Sequence, residues 1–401
     1  MFGKKLWRQL VCALPFLLAA PLHAEYRLNL QTPASPVAQQ IYDLHNLILL
    51  VCFVIFIIVF GVMFVALVKH RKSVGHQAVQ FHENTKLEIV WTIIPFIILV
   101  GMAYPTTKTI FDMRNTGHPD MTIKVTGHQW IWEYEYMGEG VRFLSNLSTP
   151  QDQIDNKVEK DPHYLLEVDN PMVVPTGKKV RVLLTATDVI HSWWVPTFGV
   201  KQDAIPGFIH EAWFTVDNPG TYRGQCAELC GVRHGYMPVV VEAVDPASYT
   251  AWLTRQKATM AEAAAASAKT YTLAELKSHG EKVFTTSCAM CHQATGQGVP
   301  GTFPPLVEGA PFAAAKGMTD PIETRGFWKD GKIVLGPKEK HLDIVMHGIT
   351  GTAMPAFAGQ LSDFDIAAVI TFERNNWGNH TGDMIQPSEV ATLRKSTGKS
   401  S

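Results

Sequence analysis

The chain has 401 residues, with 35 Lys and Arg against 36 Asp and Glu, a formal net charge of -1. That length suggests two or three domains, and the balanced charge offers nothing that would attract a nucleic acid. The informative feature is where the apolar residues fall.

Residues 1–24 carry Lys4, Lys5 and Arg8, then an apolar run from Leu10 to Ala20 and the small-residue site Leu22-His23-Ala24. This is the pattern of an export signal removed near Ala24, because the run is too short to span a bilayer and is broken by Pro15 and Pro21. Leu47 to Val68 and Ile89 to Tyr104 are longer and uncharged. They predict two membrane helices, at about 44–68 and 87–110, within a hairpin covering 25–111. Lys69, His70, Arg71, Lys72 and Lys86 lie between them, so the positive-inside rule places that loop in the cytoplasm and everything after about Asp112 in the periplasm.

From 112 to 250 the sequence reads as short strands. Thr122–Thr126 and Lys179–Leu184 alternate, Pro238–Glu242 is β-branched, and Pro175-Thr-Gly177, Pro206-Gly207 and Asn218-Pro-Gly220 supply turns. A two-sheet Greek-key sandwich is expected, with functional loops at one end. Within it, His191, Cys226, Cys230, His234 and Met237 offer two imidazoles, two thiolates and a thioether. A Cys-x3-Cys pair can close a small disulfide, and Cys2His2 can hold zinc. The thioether favours copper, and two thiolates can bridge two copper ions so that one electron is shared between them.

Residues 251–271 are Ala-rich with Glu and Lys, the composition of a semi-rigid helical spacer. Thr272 and Glu275 then form a capping box that opens a third region, 272–377, followed by a tail, 378–401. Cys288-Ala-Met-Cys291-His292 is the attachment signature of c-type haem: two thiols bond the vinyl groups and deliver His292 to the iron. Met354, in Gly351-Thr-Ala-Met-Pro-Ala-Phe357, is the expected sixth ligand, because Pro355 keeps the residue before it extended. Met318 and Met346 compete for that role, His341 and His347 form a bis-histidine alternative expected on a helix surface, and 362–374 reads as an amphipathic helix. Of the six cysteines, Cys12 and Cys52 fall in apolar segments and the other four in these two motifs. None is left for a structural disulfide.

Together with Trp91-Thr-Ile-Ile-Pro95, Gly127-His-Gln-Trp-Ile-Trp132, Asp188-Val-Ile-His-Ser-Trp193 and Lys201-Gln-Asp-Ala-Ile-Pro-Gly207, these features resemble subunit II of haem-copper oxidases, of the caa3 type. The resemblance implies a multidomain membrane protein: a two-helix transmembrane hairpin, an all-β cupredoxin-like Greek-key sandwich and an all-α class I cytochrome c domain. It implies a binuclear CuA centre held by His191, Cys226, the main-chain carbonyl of Glu228, Cys230, His234 and Met237. It further implies a magnesium ion on the Glu228 side chain facing subunit I, Trp130 as the aromatic through which electrons enter, and Glu88 as a proton-uptake carboxylate. Ile131, where the family has an aromatic, and Phe208, where many members have Arg, depart from the pattern.

The implied activity is that of one subunit of a proton-translocating cytochrome c oxidase in a bacterial plasma membrane. Its partners would be subunit I, subunit III and an upstream cytochrome c or other donor, and oxygen would be reduced on another subunit. A CuA-containing nitric oxide reductase subunit and a periplasmic copper-delivery module are the alternatives. Glu133, Glu135 and Glu139 form an acidic run that reads as exposed and could attract a basic cytochrome.

Overall fold

The computed structural model describes residues 29–75, 77, 82–313, 320–349, 352–358 and 361–397. The expected export signal, Cys12 and Met318 lie outside the described residues. Two compact units emerge, one comprising residues up to Asp112 with Pro196–Gly199, the other the rest.

In the first unit, α1 (Pro36–Lys69) and α2 (Thr85–Met113) are long and apolar enough to cross a membrane, with mean hydropathy of 3.4 and 2.0 over their most apolar stretches. None of those stretches is covered by protein, and rows of Leu, Ile, Val and Phe stand exposed along both helices. Such surface marks contact with a membrane or with a partner protein. Helix α1 begins well before the predicted start at 44. Ser35 caps it by accepting from Ala38 N, Pro36 occupies the first turn where no backbone donor is needed, and the added turns carry polar Gln39 and Asp43 paired at 2.8 Å. The Ser35 hydroxyl also donates to Phe198 O at 2.6 Å. Pro95 and Pro105 sit inside α2, a placement that membrane helices tolerate.

The second unit opens with two five-stranded sheets. One has the order β3-β2-β1-β5-β8, from β1 (Met121–His128), β2 (Ile131–Tyr136), β3 (Val141–Ser145), β5 (Val180–Ala186) and β8 (His210–Phe214). The other has the order β4-β10-β9-β6-β7, from β4 (Met172–Pro175), β6 (His191–Val195), β7 (Val200–Ala204), β9 (Gly220–Cys226) and β10 (Pro238–Val244). Strand β5 alternates buried and half-buried residues along its whole length, as a strand with one face on a core should. Strand β1 instead is buried at every residue from Val125 to His128, because this end runs beneath His191.

The stretch read as a spacer is helical from Pro246 to Ser267 (α3), capped by Asp245. Its first half is part of the sandwich: Trp252 lies 5.0 Å from the Tyr136 ring and 6.0 Å from Phe143, and Lys257 pairs with Glu139 at 2.9 Å.

Beyond it, α4 (Leu273–Val283) carries the capping box between Thr272 and Glu275 and crosses α6 (Asp363–Arg374), itself capped reciprocally by Ser362 and Asp365. At the crossing a Cβ on Gly280 would stand 2.1 Å from Ala368 O, so only glycine permits this approach. The helix α5 (Lys338–His347) joins them, and Leu276, Phe284, Leu342, Met346, Ile366 and Ile370 form the core. Two departures from the expected all-α region follow. A short β ribbon joins Trp328–Lys329 to Lys332–Ile333. The supposed tail carries α7 (Pro387–Thr397), where Ile385 and Val390 are buried in the same core and Arg394 bonds Asp363 at 2.8 Å. Val390 and Leu393 share a face of this helix and Ile385 precedes it, a signal too short in sequence to stand out beside the Ser- and Lys-rich end.

Candidate metal centres

His191 opens β6 and Cys226 closes β9, two neighbouring strands paired at Trp193 and Cys226. The loop from Cys226 to β10 is folded back on itself by Cys226 N donating to Met237 O at 3.2 Å and Ala227 N donating to Ser192 O at 3.0 Å. This brings the expected copper ligands together. The Cys226 and Cys230 sulfurs are free thiols 3.8 Å apart, Cys230 Sγ lies 3.6 Å from His234 Nδ1 and 3.5 Å from Met237 Sδ, and Cys226 Sγ lies 3.4 Å from Glu228 O. Ligand atoms of His191, Cys226 and Cys230 all fall within 4.8 Å of one another, and the three residues are buried.

The donor set tests whether a metal fits. His191 Nδ1 is buried without a hydrogen-bond partner, while its Nε2–H donates to Asp188 Oδ1 at 2.9 Å. One nitrogen of a buried imidazole is thus held by a carboxylate and the other left with an open lone pair, the usual arrangement of a metal-ligating histidine. Strand β1 makes room for this ring: a Cβ on Gly127 would stand 2.8 Å from His191 Cδ2. Burial would raise the Asp188 carboxyl, but hydrogen bonds from His191, Val189 N and Gln129 N outweigh it and hold it below its ordinary value. Burial likewise would lower His191, and Asp188 and Cys226 together raise it. Of the coupled thiols, Cys226 is lowered, chiefly by its hydrogen bond from Cys230, and Cys230 is raised by the same contact. Two thiols, a thioether and two imidazoles form a soft set suited to copper, with the Cys226 thiol the first to ionise.

The turn between β1 and β2 lies against the same loop. Trp130 Nε1 and Gln129 Nε2 both donate to Cys230 O, at 3.1 and 2.8 Å. Gln129 N donates to the second Asp188 oxygen at 2.7 Å. Trp132 is fully buried, sits edge-on to His191 at 5.9 Å and reaches Met237 O at 3.4 Å, so it packs on two ligand residues rather than in a general core. Trp193 is core, stacked on Phe214. The acidic run is corrected at one residue: Glu133 is 3% exposed and bonds Arg142 at 2.6 Å and His128 at 3.3 Å. Glu135 and Glu139 lie on the outer face, near Lys124 and Lys257. The Glu228 side chain and Phe208 are exposed. Glu88 stands exposed in the first turn of α2, accepting from Asn84 N at 3.4 Å.

A second site is a deep apolar cleft that contains Cys288, Cys291, His292 and Met354. A π turn, Phe284–Cys288, runs into the helical turn Ala289–His292 and puts both thiols and the imidazole on the cleft wall. His292 Nδ1–H donates to Pro304 O at 2.9 Å, which leaves Nε2 for a metal, and burial lowers its basicity. Burial also raises both cysteine thiols, Cys288 further through nearby Glu373. The Met354 loop is fixed by Ile349 N donating to Met354 O at 3.0 Å and Met354 N donating to Thr352 Oγ1 at 3.2 Å. Met346 is fully buried in the core. His347 is on the surface, paired with Asp343, but His341 is not: it is 8% exposed, lines the cleft and pairs with buried Glu373 at 2.9 Å. The helical period would have shown His341 beside Leu342 and Val345 on the inner face of α5. An apolar slot with two free thiols, an imidazole and a thioether suits a covalently held haem.

Sequence reasoning passed over Asp188 as a support for His191, although its spacing of three residues was visible. It also passed over Arg233, whose position between Cys230 and His234 hides the fact that its side chain lines the haem cleft.

Residues 121–244 match the family described as cytochrome c oxidase subunit II, periplasmic domain, residues 23–109 its transmembrane domain, and residues 278–377 cytochrome c. The cytochrome c oxidase subunit 2 of Cereibacter sphaeroides is 40% identical over 236 residues, 56% of this chain and 78% of that protein. A probable cytochrome c oxidase subunit 2 of Rickettsia felis is 35% identical over 263 residues, 64% of this chain and 81% of its own length. Among solved structures, the periplasmic domain of subunit II of cytochrome oxidase from Bradyrhizobium japonicum is 42% identical, covering 36% of this chain and 98% of that one, with a TM-score of 0.33.

Proposed function

The chain belongs to the cytochrome c oxidase subunit 2 family, and from that premise we propose that it is the electron-accepting subunit of a caa3-type oxidase. When bound, haem c and binuclear copper supply one-electron chemistry, taking electrons from a donor and passing them to the haem groups of subunit I, where oxygen is reduced to water and protons are translocated. The chain's own residues supply position. Cys288, Cys291, His292 and Met354 would hold the haem; His191, Cys226, Glu228 O, Cys230, His234 and Met237 would hold the copper pair. The observation that carries the reading is that Trp130 lines the haem cleft and donates a hydrogen bond to the carbonyl of the copper ligand Cys230. The chain thus joins the two sites by one side chain and one hydrogen bond.

In this reading the protein sits in a bacterial plasma membrane with its soluble regions in the periplasm, beside subunits I and III, and receives electrons from an upstream cytochrome c or other donor. The exposed Glu228 side chain would share a magnesium ion with subunit I. Glu88, at the start of α2, would take up protons from the cytoplasm.

The test is flash reduction of the haem in the full chain loaded with haem and copper. Copper should be reduced next, at a rate independent of protein concentration, as expected when two sites share one chain. Electron paramagnetic resonance should show hyperfine structure from two equivalent copper nuclei, lost in Cys226→Ser. A rate that scales with concentration, or a mononuclear spectrum at full copper loading, refutes the relay.

A further inference from the structure

Arg233 lies in the copper loop immediately before His234, yet its side chain turns into the haem cleft with Trp130 and Tyr236. Its guanidinium stands over the Tyr236 ring at 5.6 Å, and its Nε is buried without a hydrogen-bond partner. No carboxylate pairs with Arg233 among the described residues; the carboxylate in the same cleft, Glu373, already pairs with His341. Arg233 is thus a half-buried cation with a buried, unmet donor and no carboxylate partner, which is costly.

Resting on the oxidase reading above, we infer that Arg233 is a haem-binding residue supplied by the copper loop: its guanidinium donates to a carboxylate of the haem held by Cys288 and Cys291. The haem carries two carboxylates and brings the missing anion into the cleft. Arginine suits this role through its planar fork of donors. Because Arg233 shares the loop with Cys230 and His234, the same ion pair ties the haem to the copper ligands. It also leaves a positive charge beside the haem, which favours the reduced state.

The test uses the full chain with haem and copper bound, comparing wild type with Arg233→Met and Arg233→Lys. In Arg233→Met the haem reduction potential should fall, while the copper resonance spectrum and covalent haem content stay as in wild type. Arg233→Lys, which keeps the charge, should restore most of the potential. With the tie between haem and copper loop lost, haem-to-copper transfer in Arg233→Met should slow by up to about tenfold, the change that about 1.4 kcal/mol corresponds to. An unchanged haem potential in Arg233→Met, with intact haem and copper spectra, overturns the inference, because packing against Tyr236 alone would not set the potential. Loss of intramolecular transfer in wild type would instead refute the relay, a separate outcome.

Discussion

Removing Arg142 should destabilise the sandwich more than neutralising its partner Glu133, and the difference should depend on pH. Glu133 is 3% exposed and accepts from Arg142 at 2.6 Å and from His128 at 3.3 Å, while the Arg142 side chain is 44% exposed. In Arg142→Leu a buried carboxylate keeps only the longer His128 contact. The expected loss is toward the lower end of the roughly 3–5 kcal/mol found when one partner of a buried pair is removed. In Glu133→Gln the freed guanidinium reaches water and the amide still accepts, so the loss should be about 1–2 kcal/mol. Burial would lift the Glu133 carboxyl, but the bonds from His128 and Arg142 hold it below its ordinary 4.5. A carboxyl with a depressed folded pKa stabilises the protein above its unfolded pKa, and that contribution is lost as pH falls through the folded value. Without Arg142, burial dominates, the folded pKa rises and protonation relieves the variant. The gap between wild type and Arg142→Leu should therefore narrow from about pH 7 to about pH 4. Urea unfolding of a soluble 113–267 segment, followed by tryptophan fluorescence, measures it. Equal losses in the two variants, or a gap constant with pH, would refute the reasoning.

Met354→His should retain covalent haem through Cys288 and Cys291 but lower the haem potential, with loss of the sulfur-to-iron absorption band. Survival of that band would assign the ligand elsewhere. Asp188→Asn, which weakens the support of His191 Nε2, should lower copper affinity by about 10–100-fold as measured by competition with a chelator; unchanged affinity would show that Asp188 serves only the β1–β2 turn. Trp252→Ala should destabilise the 113–267 segment by about 2–3 kcal/mol, because the ring contacts both Tyr136 and Phe143; a loss under about 0.5 kcal/mol would show the helix to be a free spacer.

The membrane helices, the strands at Thr122, Lys179 and Pro238, the Thr272–Glu275 capping box and the two ligand motifs were legible because each is local. Hydropathy, alternation and short spacings are properties of neighbouring residues. The burial of Glu133 was not legible, because its partner Arg142 comes from the next strand and only register brings them together. His341 was misplaced although its helical period sets it beside Leu342 and Val345; what no local pattern carries is its partner Glu373 on α6. The 378–401 stretch read as a tail because its charged end outweighs three apolar residues whose value depends on the groove they fill. Arg233 shows the limit most clearly, since its backbone belongs to one motif and its side chain to the other.

The proposed copper ligands are placed by bonds that do not involve a metal, and this bears on electron transfer. Cys230 O receives two donors from the β1–β2 turn, Cys226 N is tied to Met237 O, and one carboxylate, Asp188, holds both His191 and the Gln129 backbone. Each tie fixes a ligand to a strand end or to another ligand, and Gly127 lets the His191 ring approach β1 closely. A site assembled in this way has little freedom to rearrange when an electron arrives or leaves. The bonds that make it rigid are also the ones that run toward the haem cleft, because Gln129 and Trp130 line that cleft. Rigidity at the copper and proximity to the haem therefore come from the same turn, and weakening one should weaken the other.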